Sequence, residues 1–125
     1  MARIREQPER EDRILLEIVV DAYDETERAI GWYCYLQEVL EFPFMARCIS
    51  RRSTSPLEIG CEVEVSGLAL EDDCMSEMHV FVKYGKKPES GLAVPLVQLA
   101  CLSEDAKTRQ AVEDWHYWVA RGYEY

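Results

Sequence analysis

The chain has 125 residues, of which 24 are Asp or Glu and 14 are Lys or Arg, giving a formal net charge of -10 at pH 7. Such an acidic surface repels phosphate backbones and anionic lipid, which argues against nucleic acid and membranes as partners. The length suits a single domain spanning residues 1–125, and the 48% of hydrophobic residues suit a folded chain with a modest core.

The cysteines and the N-terminal residues favour a reduced, cytoplasmic protein. The five cysteines include no C-x-x-C pair, and the first residues, MARIREQPEREDR, contain no apolar signal core. The longest apolar run is also far too short to span a membrane. We therefore expect structural thiols in the cytoplasm.

The first predicted element is a helix that starts near Pro8. The acidic residues that follow Pro8 suit the positive end of the helix dipole, and apolar residues then recur at helical spacing from Ile14 to Ala22. The β-branched cluster EIVV leaves a strand open as an alternative over those few residues.

A second predicted helix follows after a short turn. Asp24 and Glu27 form a D-x-x-E capping pair, and Pro43 stops the apolar stripe that comes after them. Gly31 lowers helix propensity in mid-helix, which indicates a close helix crossing. The two segments together predict a helical hairpin over about residues 9–42.

Residues 44–101 change to the alternating pattern of strands. The strings FMARCISRR, CEVEVSGLAL, MHVFVKYG and GLAVPLVQLA each read as a short strand, and Pro95 in the last one predicts an edge or a bulge. Four or five antiparallel strands of this length predict a small SH3-like β-barrel.

The last predicted element is a helix over about residues 104–121. Ser103 is the expected cap, Glu104 and Asp105 lie in the first turn, and Arg121 with Gly122 ends the helix. The fold class predicted is therefore α+β, with this helix packed on the hairpin and the barrel.

Three consecutive carboxylates, Glu71, Asp72 and Asp73, form the most conspicuous candidate site, and Glu77 follows them. Clustered carboxylates are the hard oxygen donors that Ca²⁺ prefers, and binding an ion would relieve their mutual repulsion. The alternative is an ordinary hydrated turn, which the residues alone favour because acidic surface loops are common. No EF-hand loop is present.

The sequence gives little support for a catalytic or zinc-binding function. No cysteine pair has the spacing of a structural zinc site, and His79 and His116 are each expected to pack or to lie on the surface. The sequence contains no P-loop, G-x-G-x-x-G or G-x-S-x-G motif. A Cys–His nucleophile pair stays open only because such residues meet in space. We do not expect an enzyme.

Several long strings resemble the cyanobacterial calcium-binding protein family of the CcbP type. The resemblance runs from about Glu17 to Tyr125 and is carried by EIVVDAYDETERAIGWYCYLQEVLEFPFMARC, EVEVSGLALEDDCMSEMHVFV, AVPLVQL and AVEDWHYWVARGYEY. It implies a cytoplasmic protein that buffers or sequesters Ca²⁺ without an EF-hand, with a role in calcium signalling as a further expectation. This makes the acidic triplet more plausible as a cation site than as a plain turn.

The resemblance implies that Glu71, Asp72, Asp73 and Glu38 are ligands, and the family pattern also matches Asp21 and Asp114. We take the first four as first-choice ligands. The second choices are Glu77, Asp21, Asp24 and Asp114, of which Glu77 and Asp24 are added from the sequence itself. The family pattern has a tyrosine where Cys34 stands, a carboxylate where Gln37 stands and a proline where Leu70 stands.

A rival interpretation from another class is an acidic SH3-like module that docks a basic protein partner. It predicts a salt-sensitive protein complex and no saturable binding of calcium. The identity of such a partner is not indicated by the sequence.

Overall fold

The structure is a computed structural model that describes residues 7–20, 22–52, 56–70, 74, 77–83 and 91–120. An antiparallel sheet of five strands packs with three helices in an α+β arrangement. The helices are α1 (Pro8–Arg13), α2 (Glu25–Val39) and α3 (Ala106–Ala120), and a π-helical segment, Ile14–Ile18, directly follows α1. The strands are β1 (Phe44–Cys48), β2 (Glu62–Leu68), β3 (His79–Lys83), β4 (Gly91–Pro95) and β5 (Leu99–Cys101).

The first predicted helix forms, but it changes its winding after Arg13. The Val19 N–H donates to the Ile14 carbonyl at 2.9 Å, which closes a turn wider than that of an α-helix. The strand alternative for EIVV is therefore wrong. The predicted hairpin is only partly matched, because the α-helical part of its first arm is just six residues long.

Gly31 lies where the second helix crosses the first segment, as its position in the sequence predicts. A Cβ atom added at Gly31 would lie 2.5 Å from the carbonyl oxygen of Ile18. Backbone does not yield as a flexible side chain does, so only glycine permits this approach. The start of α2 is also as predicted, because the Asp24 carboxylate accepts from the Glu27 N–H at 2.8 Å.

The described sheet is open, with the strand order β4-β3-β2-β1-β5. Its edge strands β4 and β5 are joined by a 3₁₀ turn, Leu96–Gln98. Pro95 ends the edge strand β4, in agreement with the sequence prediction. The register shifts between Val65 and Gly67 in β2, where a bulge interrupts the pairing with β3. The predicted closure into an SH3-like barrel is not confirmed.

Helix α3 begins two residues later than predicted. Asp105, not Ser103, caps it, because its carboxylate accepts from the Thr108 N–H at 2.8 Å and from the Thr108 hydroxyl at 2.7 Å. These two bonds, the hydroxyl bond first, lower the pKa of Asp105. The Ser103 hydroxyl instead accepts from the Asp105 N–H at 3.1 Å. The predicted end of the helix, at Arg121 and Gly122, lies outside the described residues.

The core is centred on an aromatic cluster between α2 and α3. Trp32 is fully buried, with its ring centroid 5.0 Å from that of Trp115 and 5.8 Å from that of Trp118. The inward-facing residues of the strands, such as Val65 and Val80, belong to the same core. None of the described helices is both long and apolar enough to cross a membrane.

Candidate metal centre

The acidic triplet Glu71–Asp73 lies outside the described residues, but its two flanks are described. On one flank, the Ala69 N–H donates to the His79 carbonyl at 3.0 Å. On the other flank, the His79 N–H donates to the Cys74 sulfur at 3.4 Å. Ala69 and Cys74 are fully buried, whereas Leu70 is 66% exposed. Both flanks of the triplet are thus hydrogen-bonded to His79, the first residue of β3. Leu70, which directly precedes the triplet, faces solvent.

Tyr33 connects α2 to the same place. Its hydroxyl donates to the Ala69 carbonyl at 3.0 Å. Because an α-helix advances about 100° per residue, Gln37 lies about 40° from Tyr33 around the axis, whereas Glu38 lies about 140° away. Gln37, which is exposed, is therefore the polar residue that shares the helix face nearest this flank of the triplet.

Glu38 lies on another side of α2, in a groove of about 390 Å³ between this helix and the π-helical segment. Glu17 and Glu27 line the same groove. Asp21 is outside the described residues, but its neighbours Val20 and Ala22 both line the groove. The sequence-predicted ligands thus divide into two groups, with Glu38 nearer to the neighbours of Asp21 than to the face that carries Tyr33.

Two of the second-choice ligands already have structural partners. Both carboxylate oxygens of Glu77 accept from Arg52, at 2.7 and 2.8 Å. Asp24 uses one oxygen as the cap of α2. The Arg52–Glu77 pair could not be predicted from the sequence because 25 residues separate its members.

Asp114 is the most heavily committed of the candidates. Its side chain is fully buried, and its oxygens accept three hydrogen bonds: one from Arg10 at 2.9 Å and two from Arg13 at 2.6 and 2.8 Å. Hydrogen bonding to this carboxylate raises the pKa of Arg13. A metal ion at Asp114 would have to displace two guanidinium groups, so its position fits a structural role that ties α1 to α3.

The described residues do not make a metal site on their own. Among them, no three His, Cys, Asp or Glu side chains come together in a way that could hold an ion. Ca²⁺ takes six to eight oxygen ligands. A site built from three or more such side chains would therefore need at least one donor from outside the described residues, where the candidate ligands Glu71, Asp72, Asp73 and Asp21 lie.

The cysteine and histidine that share a pocket do not resemble an activated nucleophile pair. Cys101 and His116 both line a cavity of about 250 Å³. Burial raises the pKa of the Cys101 thiol, which disfavours the reactive thiolate. The Nε2 atom of His116 lies 2.6 Å from the Leu99 carbonyl, and burial lowers the pKa of this histidine. Both residues therefore fit the packing roles expected from the sequence.

Comparisons with known proteins agree with this fold. The sequence pattern of a family described as calcium binding, CcbP, matches residues 12–119. The crystal structure of Anabaena CcbP is similar, with 38% identity, a TM-score of 0.86 and coverage of 100% of both chains. A calcium-binding protein solved in its calcium-binding form is similar as well, with 40% identity, a TM-score of 0.85 and the same full coverage. A comparison with curated proteins gives no match. The chain belongs to the CcbP family of calcium-binding proteins.

Proposed function

We propose that this chain binds Ca²⁺ reversibly and buffers or sequesters the ion, with a role in calcium signalling. The observation that carries the proposal is the full-length match, at 40% identity, to a protein solved in its calcium-binding form. The formal charge of -10 supports it, because an excess of carboxylates raises the local concentration of cations.

The principal ligands in this proposal are Glu71, Asp72 and Asp73. Three adjacent carboxylates offer up to six hard oxygens, and nearby backbone carbonyls and water can complete the shell. The anchoring of Ala69 and Cys74 to a single residue of β3 supports the site, because fixed flanks reduce the conformational entropy that ion binding costs. A bound Ca²⁺ would supply the positive charge that offsets repulsion among the carboxylates.

Glu38 and Asp21 form a second, separate pair of proposed ligands. Glu38 is exposed and lies in the groove lined by the neighbours of Asp21, on a different side of α2 from Tyr33. Glu77 and Asp24 could contribute only while keeping their bonds to Arg52 and to the α2 backbone. We leave Asp114 out of the ligand set because its oxygens are held by arginines.

The proposed affinity is moderate. Sites of clustered carboxylates fit dissociation constants on the order of 10⁻⁶ to 10⁻⁴ M, which is the range in which an ion is bound and released as its level changes. Mg²⁺ should bind more weakly, because it demands a smaller, nearly octahedral set of ligands and loses its water reluctantly.

Thermal unfolding tests this proposal. With a dissociation constant of about 10 μM, 1 mM Ca²⁺ would stabilise the folded chain by about 2.7 kcal/mol, which for this size raises Tm by roughly 10 °C. We expect this shift in 0.15 M salt with Ca²⁺ and a much smaller one with 1 mM Mg²⁺. Equal shifts with the two ions, or no shift with either, would contradict the proposal.

A further inference from the structure

The groove between the π-helical segment and α2 has a partly apolar lining. Ile18, which is buried, Val20, Ala22, Ile30 and Gly31 contribute to it. Val20 is 55% exposed and Ile30 is 40% exposed. Exposed apolar side chains that line one depression, with polar residues around them, mark a surface suited to binding another molecule.

Three glutamates also line this groove: Glu17, Glu27 and Glu38. All three are exposed. They place three carboxylate side chains at a solvent-facing surface, where they attract cations brought by a partner.

We propose that this groove docks an amphipathic helix of a basic partner protein. The combination of an apolar floor with acidic residues around it is complementary to a helix that carries Leu- or Ile-like anchors on one face and Lys or Arg beside them. A second copy of this chain is a poor occupant, since each copy carries a net charge of -10 and would present the same acidic groove.

The binding surface proposed for this partner differs from the binding surface that the sequence suggests. The rival interpretation of the sequence places a basic partner on a barrel, whereas the groove is formed by the π-helical segment, α2 and residues of the connection between them. Its volume of about 390 Å³ accommodates a few anchor side chains, which suits a short helical contact more than a broad interface. The proposal does not require bound Ca²⁺, although Glu38 is also a proposed ligand.

A designed peptide tests the groove. The probe is a fluorescent 18-residue peptide of leucine and lysine with leucines at helical spacing, titrated in 0.15 M salt with a calcium chelator present. Glu17→Gln with Glu27→Gln removes two groove charges without touching Glu38. The matched control is Glu58→Gln with Glu104→Gln, because both residues are exposed and outside the groove. A scrambled peptide of equal charge, with no apolar face, controls for net attraction.

We expect the amphipathic peptide to bind in the micromolar range and the scrambled peptide to bind far more weakly. The groove variant should lose roughly 2- to 30-fold in affinity, from two charge pairs at a partly solvated surface, while the control variant stays within about twofold of the original chain. Equal losses in both variants, equal binding of both peptides, or no binding of either would overturn the proposal. Because the test is made without Ca²⁺, its failure leaves the calcium proposal to be decided separately.

Discussion

Replacing the acidic triplet with its amides, Glu71→Gln, Asp72→Asn and Asp73→Asn together, is expected to weaken Ca²⁺ binding by roughly 100-fold or more. The number of charged ligands is one of the main factors that set calcium affinity across several decades. The amides keep the size of the side chains and one oxygen each but remove three negative charges. The dissociation constant is measured by competition with a chromophoric calcium chelator.

The control removes the same charge from elsewhere on the surface. Glu9→Gln, Glu58→Gln and Glu104→Gln together change three exposed residues that are outside the proposed ligand set. At 0.15 M salt, charges farther away than the screening length of about 8 Å should change affinity only slightly. If both triple variants lose affinity equally, the ion responds to net charge and the triplet is not the site. Unchanged affinity in the triplet variant would place the ligands elsewhere.

Replacing Asp114 with Ala is expected to destabilise the fold by about 3 kcal/mol without weakening Ca²⁺ binding. The substitution leaves the guanidinium groups of Arg10 and Arg13 without the buried carboxylate that accepts three of their hydrogen bonds. Breaking a buried ion pair by removing one partner typically costs 3–5 kcal/mol, and the side chains of these arginines, about 20% exposed, place the cost at the lower end. Urea unfolding measures the loss.

An apolar replacement of the whole cluster separates the charge effect from a general packing defect. Arg10→Met, Arg13→Met and Asp114→Leu together leave no unpaired charge, so this variant should lose less stability than Asp114→Ala alone. A greater loss in the triple variant would show that the ion pairs themselves stabilise the fold. Loss of calcium binding in a well-folded Asp114→Ala variant would instead make Asp114 a ligand.

Local sequence patterns allowed the main helices and strands to be predicted. Features that depend on contacts between distant residues could not be predicted. The cap at Asp24 and the glycine at Gly31 are each readable from a few neighbouring residues, and both have the predicted roles. The π-helical winding of Ile14–Ile18 could not be read from the spacing of apolar residues, because that spacing is also compatible with an α-helix. Closure of the sheet depends on how its two edge strands lie in space, which alternation within each strand does not determine.

The candidate site shows the same contrast between local sequence patterns and contacts that only the fold creates. A run of three carboxylates is visible in any reading of the sequence, but the partner of a single carboxylate is not. Asp114 lies more than a hundred residues from both Arg10 and Arg13, so its pairing follows only from the fold. Helix geometry gives the angle between Gln37 and Glu38 around α2 from the sequence alone. Which of them lies nearer the triplet follows only from the contact of Tyr33 with Ala69, just after β2.

The measurement that tests the central claim most directly is a calorimetric titration of Ca²⁺ into chelator-stripped protein, at 0.15 M salt with millimolar Mg²⁺ present. We predict a saturable isotherm with an integer stoichiometry and a dissociation constant on the order of 10⁻⁶ to 10⁻⁴ M. A weak signal that does not saturate and disappears as salt is raised would contradict the claim, because it would reveal only a diffuse cloud of counterions around an acidic surface.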